Sequence, residues 1–225
     1  MDLVLVHGAW HGAWCWERVL PFLNRLGVTT HTLDLPSVHD QTRAAAIVAN
    51  DARAVRDLIE SVPGDVAICG HSYGGMVITH PLAGGHPRVK RLVYLCALML
   101  DAGESPTNVL DVTDTLRHTV DEKGMIMPDM ENAAELLYGD CDVESQNSAM
   151  QRLRAMWPPV DLLPGAAWRS VPSTYIVCAE DRVMSVRTQR EVFAPRAQEV
   201  LEMHTSHSPF LSQPAALAEL LAASL

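Results

Sequence analysis

An apolar run, Val66-Ala67-Ile68-Cys69, runs into Gly70-His71-Ser72-Tyr73-Gly74-Gly75-Met76, after which the spacing of apolar residues turns helical. No other stretch leaves this chain so little choice of fold. The Gly70-x-Ser72-x-Gly74 spacing fits a sharp strand-to-helix turn that lifts a serine hydroxyl clear of a sheet. Glycine at 70 and 74 lets neighbouring backbone pass closely and tolerates the strain carried by the residue at the tip. The amide of Tyr73 would then open the helix and point to where negative charge develops on a substrate oxygen. A glycine-rich turn that only packs a helix on a sheet has the same pentapeptide, so the surrounding pattern decides.

That pattern is a regular alternation. Leu3-Val4-Leu5-Val6 is a continuous apolar run, the mark of a strand buried on both faces. It ends at His7-Gly8-Ala9-Trp10, and Trp14 to Leu26 reads as a helix closed by Gly27. Thr30 to Leu33 is a short strand, Asp34-Leu35-Pro36 a loop, and Thr42 to Glu60 a helix stopping before Pro63-Gly64. The turn around Ser72 leads into a helix reaching about Ala83, and Arg91 to Leu98 is another strand. Near Asp101 the rhythm stops. To about Ser170 no continuous apolar strand occurs; helical patches at Asn132 to Tyr138 and Ser145 to Met156 flank a small hairpin around Gly124-Met125-Ile126-Met127. The rhythm then resumes with a strand at Thr174 to Cys178, a helix at Val186 to Phe193, a strand at Val200 to Met203 and a helix after Pro214. The expected architecture is α/β: a mainly parallel sheet of about six strands with helices on both faces. Residues 1–100 and 171–225 form its core, and 101–170 is an inserted cap above the carboxyl edge of the strands, where open sheets bind ligands.

Bulk properties narrow the partners. A net charge of −10 argues against nucleic acid and anionic membranes, which need a basic face. The five cysteines are odd in number, none pair at metal-like spacing, and 69, 96 and 178 lie in apolar runs. A reducing, cytoplasmic setting is expected, with no membrane span and no charged-then-apolar leader. A small molecule is the expected partner, and a homodimer is compatible with the composition.

A serine hydroxyl needs a base within hydrogen-bond reach and an acid to orient that base. Asp181 follows the strand at 174–178, and His207 follows the last strand, so serine, acid and histidine come in the order this fold uses and at one sheet edge. Glu180 and Asp101 are rival acids and His204 a rival histidine, but Glu180 lies nearer the strand and His204 reads as a strand-end residue. A second amide donor beside Tyr73 N–H is expected from the loop after the first strand. Ala9 N–H is the first choice and Trp10 N–H the second. His7 and His11 stand four apart, a ligand spacing only on a helix, and His7 ends a strand, so no metal is expected. His71 is expected to pack under the turn.

Together these residues resemble the α/β-hydrolase superfamily, and within it the branch of plant methyl esterases and hydroxynitrile lyases with their bacterial esterase-like relatives. The segments that carry the likeness are Leu5-Val6-His7-Gly8-Ala9-Trp10-His11-Gly12-Ala13-Trp14-Cys15-Trp16, Gly70 to Gly75, Tyr175 to Asp181 and His207-Ser208-Pro209-Phe210. The resemblance implies a cofactor-free enzyme with Ser72, Asp181 and His207 as triad and the Ala9 and Tyr73 amides as oxyanion hole. The lyases of that branch carry a threonine after the first-loop histidine and a lysine after the catalytic histidine. Gly8 and Ser208 stand there instead, which favours ester hydrolysis; the alternatives are a hydroxynitrile-lyase-like or other carbon–carbon-cleaving enzyme on the same scaffold, or a hydrolase-like ligand-binding protein. Ser206 departs from the aspartate that many relatives have before the histidine. Six of the ten methionines (99, 125, 127, 130, 150, 156) lie in or beside the insertion, either as an apolar, adaptable pocket for small to medium esters or only as packing between the insertion and the core.

Overall fold

The computed structural model describes residues 1–40, 45–110 and 117–225. Its strands are Asp2–Val6 (β1), Thr30–Thr32 (β2), Val66–His71 (β3), Val89–Leu95 (β4), His118–Val120 (β5), Ile126–Pro128 (β6), Ser173–Cys178 (β7) and Glu199–Met203 (β8). Six form one sheet in the order β2-β1-β3-β4-β7-β8, every neighbouring pair parallel. The apolar β3 and β7 are buried along their whole length, whereas the edge strand β8 leaves four of its five residues partly or fully exposed. Central strands that read as unbroken hydrophobic runs are those covered on both faces.

The helices are Leu20–Arg25 (α1), Pro36–His39 (α2), Ile47–Ser61 (α3), Tyr73–Thr79 (α4), Pro106–Val109 (α5), Ala133–Tyr138 (α6), Val143–Met150 (α7), Val186–Thr188 (α8), Pro209–Ser212 (α9) and Pro214–Ala223 (α10). Two helical groups flank the sheet, α1 with α10, and α3 with α2 and α4. Between β4 and β7 lies the 101–170 segment, with the antiparallel β5–β6 hairpin and helices α5 to α7. Crossovers leave β1, β3, β4, β7 and β8 at one edge, so the loops starting at His7, Ser72, Cys96, Ala179 and His204 share it.

Several boundaries differ from the sequence expectation for local reasons. The helix expected over Trp14 to Leu26 is a tight turn at Ala13–Trp16 followed by α1. Pro21 has no N–H to give the Glu17 carbonyl, so α1 restarts around it. The Asp34-Leu35-Pro36 loop continues into the one-turn α2, with Pro36 in the first helical position. The beginning of the helix expected from Thr42 lies outside the described residues. Strand β4 stops at Leu95, because Cys96 turns to φ 36°. The helix expected to run to Met156 ends at Met150, since Arg154 N–H goes to the Trp10 carbonyl and Met156 pairs with Ile126. The stretch expected as one helix from Val186 is α8 followed by a π-turn over Gln189–Phe193.

Helix α4 crosses β1 at close range. A Cβ on Gly74 would lie 2.6 Å from the Val6 carbonyl oxygen and 2.7 Å from that of His7, both backbone atoms that have nowhere to move. Gly74→Ala is therefore expected to cost about 2–4 kcal/mol in urea unfolding. Gly27→Ala, where φ is 77° but the space is open, should cost only about 1 kcal/mol.

Candidate active site

Ser72 sits between β3 and α4 with φ 51° and ψ −119°, a conformation that a non-glycine residue holds only when its surroundings impose it. They do so here. Ser72 N–H donates to the Leu95 carbonyl, and the Ser72 carbonyl accepts from the amides of Gly75 and Leu98. Gly8 passes so near that a Cβ would lie 2.7 Å from His71 Nδ1 and 2.9 Å from Ser72 Cβ. Such strain costs on the order of 1–3 kcal/mol and aims the side chain outward.

Ala9 and Tyr73 line the same cavity as Ser72. Among the described residues neither Ala9 N–H nor Tyr73 N–H donates a hydrogen bond. The orientation of each is fixed from behind. Leu35 N–H donates to His7 Nε2, so the His7 proton is on Nδ1, which donates to the Gly8 carbonyl at 2.8 Å. The Gly8 carbonyl and the Ala9 N–H belong to one peptide plane, so holding the oxygen away turns the N–H the other way. On the opposite side, the Tyr73 phenol donates to Asp51 Oδ2 at 2.6 Å, and Ser37 N–H donates to Asp51 Oδ1. Asp51 and Asp181 are the only carboxylates buried among the described residues. Burial raises the Asp51 pKa, while its donors from Ser37 and Tyr73 pull it down.

The histidine and the acid meet behind β7 and β8. His207 Nδ1 donates to Asp181 Oδ2 at 2.7 Å, with both side chains buried. Asp181 also accepts from the amides of Val183 and Met184 on Oδ1 and from Gln189 Nε2 on Oδ2. These donors fix the plane of the carboxyl group. With Nδ1 protonated, the neutral ring leaves Nε2 as acceptor. The His207 ring donates to Asp181, and the His207 carbonyl accepts from His71 Nε2–H and Cys96 Sγ–H; among the described residues no hydrogen bond joins the ring to Ser72 Oγ. His71 lies buried between the His207 and Phe210 rings, with centroids at 4.7 and 4.9 Å, and donates Nε2–H to the His207 carbonyl.

The rival residues lie elsewhere. Asp101 pairs with Arg169, Glu180 is exposed, and exposed His204 offers its carbonyl to Gln213. His7 and His11 do not converge on an ion, because each spends both ring nitrogens on other partners. His71, Cys96 and His207 bring ligand-type atoms within 4.8 Å of one another, the one such group among the described residues. An ion there would compete with Ser72 for His207. The aspartate replaced by Ser206 has a substitute from the 101–170 segment. Asp140 accepts from Ser206 N–H at 3.1 Å and from the Ser206 hydroxyl. Sequence reading missed Gln189, Asp51, Asp140 and Tyr138; no motif marks them, and only the unusual burial of polar side chains gives a signal.

The pocket has a volume of about 170 Å³ and is mainly apolar, with Leu98, Leu110, Ile126, Met156, Val183 and Met184 among its walls. Of the six methionines expected to adapt to substrate, Met156 alone lines it. Met125 packs instead with Ile47 and Trp157, Met99 is in the core, and Met130 is exposed.

The sequence profile of the alpha/beta hydrolase family matches residues 3–220. Methylesterase 2 of Arabidopsis thaliana is 30% identical, with 98% of this chain and 94% of that protein aligned. A pyrethroid hydrolase of Sphingobium wenxiniae is 28% identical over 98% of this chain and 86% of its own. Among solved structures, a pyrethroid hydrolase from Sphingobium faniae superposes with a TM-score of 0.85 at 25% identity, covering 99% of this chain and 96% of that one. An Arabidopsis methylesterase superposes with a TM-score of 0.80 at 26% identity, covering 98% and 97%.

The buried rings make the site sensitive to acid. Burial lowers the pKa of His7 from 6.5 to about 4 and of His11 to about 3, and it lowers that of His71 well below 6.5. A depressed pKa in the folded state means that stability is complete above about 6.5 and is lost as pH falls, since the unfolded chain binds protons the folded chain refuses. Each such proton adds about 1.4 kcal/mol per pH unit to the slope. Urea unfolding at pH 5 should therefore take up close to one proton for each of these three histidines, less the opposing contribution of Asp51, whose raised pKa lets the folded chain hold a proton that unfolding releases. A stability unchanged between pH 7.5 and pH 5 would contradict neutral, buried rings.

Proposed function

The chain belongs to the alpha/beta hydrolase family, in the branch of the methylesterases, and on that footing we propose that it hydrolyses small to medium, mainly apolar carboxylic esters through an acyl-enzyme on Ser72. The observation that carries this reading is convergence at one edge. The strained Ser72, two unpaired amides and a histidine held by a buried carboxylate stand on the loops after β1, β3, β7 and β8.

His207 Nε2 takes the Ser72 proton as Oγ attacks the ester carbonyl, and Asp181 stabilises the imidazolium that forms. The amides of Ala9 and Tyr73 receive the carbonyl oxygen as it gains negative charge. His207 then protonates the departing alcohol, activates water against the acyl-enzyme and returns the proton to Ser72. Residues 1–100 and 171–225 act as the hydrolase core, and 101–170 as a cap supplying Leu110, Ile126 and Met156 to the pocket wall. A cavity of this size accommodates a benzene-sized group or a short acyl chain. Among the described residues its walls hold His118 but no lysine or arginine for a carboxylate or cyanide, and with Gly8 and Ser208 in the discriminating positions the lyase alternative loses its chemical support. A cytoplasmic setting agrees with five free cysteines, and no helix among the described residues is long and apolar enough to cross a membrane.

Ser72→Ala and His207→Ala should each lower the hydrolysis of p-nitrophenyl acetate and butyrate by at least about 10⁴-fold, and Asp181→Asn by about 10³–10⁴-fold. Asp101→Asn should stay within about twofold of wild type. Mandelonitrile should not be cleaved. Ester turnover that survives in Ser72→Ala would remove this serine from the mechanism.

A further inference from the structure

Trp10 has φ 62°, in the left-handed region that a large side chain rarely enters, directly after the Ala9 amide. Every hydrogen bond that pins this bend traces to the 101–170 segment. Arg154 N–H donates to the Trp10 carbonyl at 2.9 Å, and Trp10 Nε1–H donates to the Ile126 carbonyl at 3.2 Å. Tyr138, at the end of α6, donates its phenol to His11 Nε2 at 2.8 Å. His11 Nδ1–H in turn donates to the Ala9 carbonyl at 2.7 Å. Tyr138 is fully buried and His11 nearly so, with Trp14, His71 and Phe210 packed around the imidazole.

The protons of this relay have one arrangement. The Ala9 carbonyl can only accept, so His11 carries its hydrogen on Nδ1, and Nε2 must accept from the phenol. A ring deprived of that phenol could take the other tautomer, which turns a lone pair on the Ala9 carbonyl and releases the peptide. The Ala9 carbonyl shares a peptide plane with Trp10 N–H, and the Gly8–Ala9 peptide that carries the Ala9 N–H, held on its other side by His7, joins it at the Ala9 Cα, so His7 and His11 together set the Ala9 backbone.

We propose that His11 and Tyr138 are positioning residues for ester hydrolysis. The Tyr138 phenol sets the His11 tautomer, His11 locks the Ala9–Trp10 peptide, and the cap thereby completes the oxyanion hole of the core. The cap is then a working part of the catalytic geometry as well as a wall of the pocket, supplying the anchor on the Trp10 side of Ala9 while His7 supplies the one on the Gly8 side. This inference rests on the reading that the Ala9 amide serves the oxyanion.

The test compares Tyr138→Phe, His11→Ala and His11→Asn with wild type on p-nitrophenyl acetate, alongside Ser72→Ala. Tyr138→Phe keeps the ring packing and should lower kcat about 10-fold with KM within about twofold. His11→Ala should lose about 100-fold in kcat. His11→Asn, whose amide N–H can reach the Ala9 carbonyl from the Nδ1 position, should recover about 10-fold of that loss. A loose cap without this relay would raise KM and spare kcat, so rates within twofold of wild type, or losses in KM alone, overturn the proposal. Tyr138→Phe at full rate with Ser72→Ala inert sinks the relay and leaves the triad standing. Turnover in Ser72→Ala sinks the triad instead; amide exchange over residues 8–12 then carries the test, faster exchange in Tyr138→Phe supporting the relay and unchanged exchange overturning it. Should His11→Ala fail to fold, Tyr138→Phe and its exchange pattern decide alone.

Discussion

The contact on which the rest depends is the approach of the turn after β3 to the loop after β1. Gly74 lies against the carbonyls of Val6 and His7, and Gly8 lies against His71 and Ser72, each closer than any side chain would permit. Parallel pairing of β1 with β3, from Asp2 opposite Val66 to Val6 opposite Gly70, delivers both segments to the same level of the sheet edge. The sheet alone would leave them neighbours. The missing side chains bring the nucleophile and the two amides to one cavity.

Holding polar backbone in that cavity without partners is unfavourable, and the surrounding structure compensates from behind. His7 fixes the Gly8–Ala9 peptide and the Asp51–Tyr73 pair fixes the start of α4. Gln189 and the Val183 and Met184 amides hold Asp181, and Asp140 holds the loop that carries His207. Most of these supports are neutral or fully buried, so their geometry persists when solvent conditions change near neutrality. The π-turn over Gln189–Phe193 follows the same economy: a widened turn places Gln189 where it reaches both Asp181 and the β7 backbone.

Much of the fold was legible because its signals are local. Unbroken apolar runs marked β1, β3, β4 and β7, and Gly70-x-Ser72-x-Gly74 marked the turn. Chain order placed Asp181 and His207 on loops of the same edge, where the structure joins them. The supports were not legible, because each is a long-range meeting of ordinary residues: Asp51 with Tyr73 across 22 positions, His11 with Tyr138 across 127, Ser206 with Asp140 across 66. Helix ends failed where a tertiary partner claims a backbone donor, as Trp10 does for Arg154. The methionine expectation held only for Met156, because composition counts thioethers but does not say which face of the 101–170 segment they occupy: Met125, Met127 and Met150 pack against neighbouring side chains, Met99 lies in the core and Met130 is exposed.

The most direct measurement is a crystal structure of the protein after reaction with a p-nitrophenyl phosphonate, whose tetrahedral adduct imitates the acyl-transfer intermediate. The account predicts phosphorus bonded to Ser72 Oγ, with a phosphonyl oxygen about 2.7–3.1 Å from both the Ala9 and Tyr73 amide nitrogens. An adduct on another residue, or one on Ser72 whose oxygens leave those two amides unused, would contradict it.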